Sequence, residues 1–323
     1  MLTAPDFKEK QIIFAILSHG ERLSFKNDNI IISDENAIKH QSSCFRLFAL
    51  IIVGHISITS GLLMRSKKFG FSIVLMSYGL VPYGMWMAKA EGNVLLRQKQ
   101  YEYNSFEIAQ YILKEKIEKQ LVALKSRRQK SDELKNGILH LTNYYERLPN
   151  LDLGLNDILG IEGMASKVYF KQMFGDIGWQ GRKPRAKRDM PNVLLDIGYT
   201  QLFYIMEVLL NLYGFDIYKG FYHQTFYQRK SLVCDMVEPF RPWVDRRIRK
   251  AFKLNQIHEK DFILINGQYR LFGKTSKPYL AFMLKNLLKQ KNTMFYFVQS
   301  FYRAFMQDIS IQEYPKIDTE LKC

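Results

Sequence analysis

The sequence predicts an α+β protein: a small N-terminal β-rich, β-sandwich-like domain over residues 1–92, then a larger all-α domain over residues 93–323. Three observations predict it. Up to about Glu91, short apolar runs rich in β-branched residues alternate with polar or glycine-containing turns, the pattern of strands. Beyond it, apolar residues recur at the three-and-four spacing of amphipathic helices. At 323 residues and 47% hydrophobic content, the chain can fill two ordinary cores.

In chain order, strands are expected over 29–33, 48–53 and 72–76. The apolar stretches 47–64 and 71–88 are interrupted, the first by His55, Ser57, Thr59 and Ser60, the second by Ser72, Ser77, Gly79, Pro82 and Gly84. Neither is the run of about 20 apolar residues that a membrane-spanning helix requires, so both are read as buried strands and no membrane association is expected. Lys8, Glu9 and Lys10 precede the first apolar run, 12–17, which argues against a signal peptide. Cys44, Cys234 and Cys323 have no paired spacing, so neither a disulfide framework nor a zinc knuckle is supported, and a reducing cytoplasm fits best.

Helices are expected over 105–128, 134–147, 156–174, 191–213, 231–254, 278–290 and 292–306. In the first, Ile108, Ile112, Leu121 and Leu124 mark the buried face, and Lys114, Glu115, Glu118 and Lys119 are assigned to a solvated one. The charged run 125–135 reads as a solvated helix end or loop. The tail from Gln307, with Pro315, reads either as a docking segment or as a frayed terminus.

Lys and Arg number 47 against 31 Asp and Glu, a formal charge of +16. Residues 1–92 hold 10 basic and 7 acidic side chains and the remainder 37 and 24, so +13 of the excess lies in the second domain. Such an excess points to a polyanionic partner.

Four residues in that domain stand in apolar or aromatic surroundings where a charged or titratable side chain needs a reason: Glu162, His223, Asp235 and Glu238. On a helix from Asn156, Glu162 shares a face with Ile158, Leu159, Ala165, Ser166 and Tyr169 and should point inward. A buried carboxylate needs a cation, so it either pairs with Lys or Arg or ligates a metal. Ser231 is a plausible helix start, and Asp235 and Glu238, three apart, fall on one face of that helix. They share a cation or pair with Arg241, Arg246 or Arg247. Pro239 and Pro242 remove the backbone bonds to the carbonyls of Asp235 and Glu238, which predicts a kink beside both acids. His223, among Phe221, Tyr222, Phe226 and Tyr227, is a packing residue or a ligand returned to the same cleft.

Four motifs in order carry a resemblance: Gly160-x-Glu162-Gly-x-Ala-x-x-x-Tyr-Phe; Trp179 and a basic loop leading to Asp189, Asn192, Leu194, Leu195, Gly198 and Tyr199; Gly220-Phe-Tyr-His223; and Asp235-Met-Val-Glu238-Pro-Phe-Arg-Pro. Over roughly residues 93–290 the chain resembles the CRISPR-associated adaptation integrase family, metal-dependent endonucleases and integrases that insert spacers into CRISPR arrays. The first 90 residues resemble that family's β-rich domain more loosely, through the strand pattern and 57–63. The resemblance implies Glu162, His223 and Glu238 as metal ligands, with Asp235 as a supporting acid. Many members have Asp where this chain has Glu238. It further implies Mg²⁺ or Mn²⁺ as cofactor, which suits mixed carboxylate and imidazole donors. A DNA 3′-hydroxyl or water would attack a phosphodiester.

The implied partners are prespacer duplexes with 3′ ends, CRISPR repeat DNA, a second copy of the chain joined through the N-terminal domain, and a small ferredoxin-like adaptation protein completing a heterohexamer. Arg182, Lys183, Arg185, Lys187 and Arg188, where the family has a shorter and less basic loop, and Arg241 are candidate DNA contacts. The alternatives are a branched-DNA nuclease or transposon-type integrase without a CRISPR partner, and a non-catalytic basic DNA-binding protein.

Overall fold

A computed structural model describes residues 2–88, 92–128, 130–148, 153–183, 186–271 and 275–317. Arg185 and Cys323 lie outside the described residues. The chain divides into two compact units, Met1–Asn93 with Asn211–Gly214, and Val94–Leu210 with Phe215–Cys323.

The first unit opens with a short helix, α1 (Ala4–Lys8), capped by Thr3 and Asp6. Its main sheet has the order β1-β5-β6-β7, and a second sheet has the order β2-β3-β4. Strands β1 (Gln11–Ile16), β5 (Leu47–Val53) and β6 (Ser72–Met76) run parallel, and β7 (Pro82–Trp86) adds antiparallel to β6. Every residue of β5 is buried, as expected for the middle of a parallel sheet covered on both faces. Helix α2 (Ser60–Phe69) makes the crossover from β5 to β6 and ends in the left-handed cap Gly70, φ 71°, where a side chain would be strained.

Strands β2 (Arg22–Lys26), β3 (Asn29–Ser33) and β4 (Ile38–Ser43) form the antiparallel sheet. Asn27 and Asp28, both at positive φ, make the tight turn between β2 and β3, the geometry that suits twisted hairpins. Ile30 from this sheet packs with Ala15, Leu47, Leu50, Ile52 and Ile73 from the other, so one core lies between two sheets. The sandwich-like expectation holds. The three predicted strands are β3, β5 and β6.

The second unit is helical: α3 (Val94–Glu102), α4 (Glu107–Lys125), α5 (Asp132–Arg147), α6 (Leu155–Phe174), α7 (Met190–Tyr213), α8 (Ser231–Val237), α9 (Arg241–Lys253), α10 (Ser276–Lys289) and α11 (Lys291–Met306). It is not purely helical, because β8 (Phe262–Ile265) and β9 (Gln268–Leu271) pair as a hairpin after α9. Helix α4 is packed by α5, α6, α9 and the turn before α9. That explains a departure from expectation: Glu115 and Lys119 are buried, not solvated. Lys119 lies 3.3 Å from Glu118 and 4.0 Å from Glu115, and Glu115 accepts from the Ile317 N–H. The tail through Ile317 is therefore neither frayed nor free, since Tyr111 also donates to the Pro315 carbonyl at 2.5 Å and Tyr314 and Ile317 are buried.

Helix α7 is long and apolar enough by composition to cross a bilayer, but 72% of its most apolar window is packed inside the protein. The sequence after Ser231 breaks as the prolines require. Helix α8 stops at Val237, a single 3-10 turn covers Glu238–Phe240, and α9 begins at Arg241. The carbonyl of Asp235, denied a partner by Pro239, accepts from the Glu238 N–H, and that of Glu238, denied by Pro242, accepts from Arg241. Ser231 is the first residue of α8, not its side-chain cap.

Candidate functional site

Lys116 on α4, Glu162 on α6 and Glu238 in the 3-10 turn meet at one point. Lys116 Nζ lies 2.5 Å from Glu162 Oε1 and 2.7 Å from Glu238 Oε2. Ser166, one turn on from Glu162, donates to the same Oε1 at 3.0 Å, and Arg241 holds the other oxygen of Glu238 at 3.0 Å. The Lys116 and Glu238 side chains are 7% and 4% exposed, so these charges survive only because they compensate one another. Burial opposes the charge on Glu238, but Arg241 and Lys116 outweigh it and hold the carboxyl at about 2. Burial opposes the Lys116 charge too, and Glu238 and Glu162 more than offset it, keeping the ammonium above the usual lysine range.

Asp235 does not share a cation with Glu238. It is wholly buried and turned to the loop before α8. One of its oxygens accepts from the N–H groups of Phe221 and Tyr222 at 2.6 and 3.0 Å, and the other from the His223 N–H at 2.8 Å and its Nδ1 at 2.7 Å. The loop approaches so closely at Gly220 that a Cβ there would stand 2.8 Å from Asp235 Oδ2 and 2.7 Å from the His223 carbonyl. A carboxylate accepting at this distance places a proton on Nδ1, and in the neutral ring that leaves the lone pair on Nε2. Tyr222 packs edge-on against His223, ring centroids 4.9 Å apart. Its buried hydroxyl has no hydrogen-bond partner, and burial, with Glu162 and Glu238 next in effect, pushes its pKa up.

The donor set suits a divalent ion. The two carboxylates already converge on one positive charge, and an imidazole with Nδ1 fixed by a carboxylate is the usual form of a ligating histidine. The orphaned Tyr222 hydroxyl marks a polar position beside them. These donors are not, however, drawn into a ready cluster: among the described residues no group of three His, Cys, Asp or Glu side chains stands ready to hold an ion, and Lys116 takes both glutamates instead.

A cavity of about 560 Å³ opens beside Glu162, lined by Ser166, Trp179, Arg182, Tyr199 and Arg241, and one of about 310 Å³ reaches His223 from the side of Tyr103 and Lys219. The basic-loop residues separate. Arg182 donates to Asn192 and Asp196, both at 3.0 Å, and stacks with Arg241 on Tyr199. Lys183 and Arg188 are exposed, and Lys187 is half-buried, its carbonyl accepting from Tyr269. Charge gathers instead around a hollow of about 890 Å³ lined by Arg127, Arg128, Arg246, Arg247, Lys250 and Lys285 among others.

Sequence reasoning missed Lys116 and a buried aspartate, Asp245. Lys116 stands four residues after Ile112 on the apolar face of α4, and that spacing was the available signal. Asp245 accepts from Tyr169 at 2.9 Å and Tyr199 at 2.6 Å. Burial pushes it up to about 7 against the pull of those two hydroxyls.

The family model for the CRISPR associated protein Cas1 matches residues 14–283. The chain belongs to the Cas1 family. Among curated members, this Cas1-family chain is 27% identical over 278 residues to CRISPR-associated endonuclease Cas1 1 of Thermodesulfovibrio yellowstonii, covering 81% of this chain and 87% of that one. Two solved structures share the fold. A casposase bound to integration product aligns with TM-score 0.74 at 19% identity over 95% of both chains. A Cas6-RT-Cas1–Cas2 complex aligns with TM-score 0.78 at 21% identity over 97% of this chain, which spans 37% of that longer one.

Proposed function

We propose that this Cas1-family chain is a CRISPR adaptation integrase: a metal-dependent endonuclease and strand transferase that joins the 3′-hydroxyl ends of short duplex DNA to phosphodiesters of a repeat array. The observation that carries the reading is the convergence of Glu162 and Glu238 on one cation beside a histidine oriented by Asp235. Glu162, Glu238 and His223 Nε2 would hold Mg²⁺ or Mn²⁺. The chemistry supplied by such an ion is polarisation of a phosphoryl oxygen and charge stabilisation at the leaving 3′ oxygen. Asp235 fixes the imidazole tautomer and orientation. Arg241 keeps Glu238 ionised, and the cavity beside Glu162 gives a DNA end room to approach. Two attack sites on a repeat call for two copies of the chain, so a homodimer joined through the N-terminal unit, bridged by the small ferredoxin-like partner in a heterohexamer, completes the proposal. Similarity to a Cas6-RT-Cas1–Cas2 complex and to a casposase bound to integration product supports a DNA substrate and a Cas2-type partner.

A labelled duplex with 3′-hydroxyl ends, incubated with a supercoiled repeat plasmid, the small partner and Mn²⁺, tests this. Strand transfer is expected with the parent chain and lost with Glu162→Ala or with EDTA, while DNA binding persists. Unchanged integration by Glu162→Ala would overturn it. The pairing of both glutamates with Lys116 favours one rival, a basic DNA-binding protein whose acids form only salt bridges. Under that reading there is no strand transfer to lose.

A further inference from the structure

Lys116 is unused by the chemistry above, yet it occupies the centre of the site. Its ammonium holds Oε1 of Glu162 and Oε2 of Glu238, oxygens that an ion seated between the two glutamates would need. A monovalent and a divalent cation crowded on the same pair of oxygens repel strongly where little water screens them. One helical turn further along α4, on the same face, Gln120 is 2% exposed, lines the same cavity as Lys116 and Glu162, and has a buried Oε1 without a hydrogen-bond partner. An acceptor left empty four residues from a buried ammonium is a place for that ammonium to go.

We propose that Lys116 is a resident counter-cation that competes with the divalent ion: it keeps Glu162 and Glu238 together when no ion is bound, leaves at least one of them when the ion enters, and so sets the ion affinity. Gln120 receives the displaced ammonium. This is a positioning role, and it rests on the ligand assignment made under Proposed function. The contest needs no change in the protonation of Lys116, only a swing of its flexible stem towards the next turn.

Mn²⁺ binding to the full chain, followed by titration calorimetry and by the Mn²⁺ resonance signal, tests the proposal without any activity readout. Lys116→Met is expected to bind Mn²⁺ about tenfold or more tightly than the parent, because a repelling charge is gone, and to gain more in Tm from Mn²⁺. A purely structural lysine would leave the affinity unchanged or weaker, and that result would overturn the idea. Should Lys116→Met not fold, a crystal structure of the parent chain with Mn²⁺ decides. Nζ is expected more than about 4 Å from at least one of the two carboxylates, and a Lys116 still bridging both overturns the proposal. The ligand assignment fails separately, if Glu162→Gln binds Mn²⁺ as the parent does. If Glu162→Gln loses binding while Lys116→Met matches the parent, only the competition fails.

Discussion

Asp235 spends its accepting capacity on four donors from a three-residue stretch, 221–223. Asp235→Ala would leave three N–H groups unmatched, those of Phe221 and Tyr222 buried and that of His223 partly so, and a loss of about 3 kcal/mol in unfolding free energy is expected from denaturant melts. Asp235→Asn keeps the shape but puts a donor where one of the two accepting oxygens stood, facing either His223 or the N–H groups of Phe221 and Tyr222. On the proposed ligand set, the fold should persist while Mn²⁺ affinity falls by about 10–100-fold, the range found when a carboxylate that orients a ligating histidine is lost. Asp245 predicts a pH effect of unusual sign. Its folded pKa, about 7, lies above the reference value of 3.8, so between those values the folded chain holds a proton that the unfolded chain has released. Stability from this group is full below about pH 4, is lost as pH rises towards 7, and is level beyond, with a span on the order of a few kcal/mol. The unfolding free energy of the parent minus that of Asp245→Asn, followed across that range, should fall as pH rises. Glu162, His223, Asp235 and Glu238 were legible because each interrupts an apolar or aromatic run. Lys116 was not, because it stands among Lys114, Glu115, Glu118 and Lys119, whose pattern reads as a solvated face, whereas neighbours on several sides leave that helix little solvated surface.

At the scale of elements, Asp235 and Glu238 stand on either side of the end of α8 and take different partners. Asp235, on α8, accepts from the histidine loop, and Glu238, in the 3-10 turn, pairs with Lys116 on α4. Helix α7 meets α9 and α10 at Gly198, where an added Cβ would stand 2.4 Å from Val244 and 2.6 Å from Met283. Gly198→Ala should therefore cost about 1–3 kcal/mol, read as a lowered Tm with unchanged helical circular dichroism. The long helices were legible from periodicity, and the predicted break fell at the two prolines. The missed strands have physical reasons. Strand β2 alternates exposed with half-buried residues and most of β4 is exposed, so neither presents an apolar run; β1 lies in the short apolar run 12–17, and β7, a largely exposed edge, is interrupted by Pro82 and Gly84. The short helix α2, with half its residues polar, and the isolated β8–β9 hairpin are too small for periodicity to speak.

For the whole molecule, the excess positive charge was legible from counting, but its location was not. The basic loop after Trp179 is partly folded into contacts with Asn192, Asp196 and Tyr199. Arg128, Lys250 and Lys285 instead line the hollow of about 890 Å³ with arginines from α9, a pattern that arises only when the end of α4, α9 and α10 come together. DNA affinity should fall steeply with salt, and Lys250→Ala and Lys285→Ala should each lower the slope of log affinity against log salt by about 1, equally for all sequences.

Strand β5 carries a liability of another kind. It lies parallel between β1 and β6, so its partners are strands emitted well before and well after it during synthesis. Residues 11–16 must wait for 47–53, and both wait for 72–76, before the sheet is closed. A chain shortened past Ile16 would leave a wholly apolar strand with a bare edge, and such a fragment should aggregate more readily than the 323-residue chain.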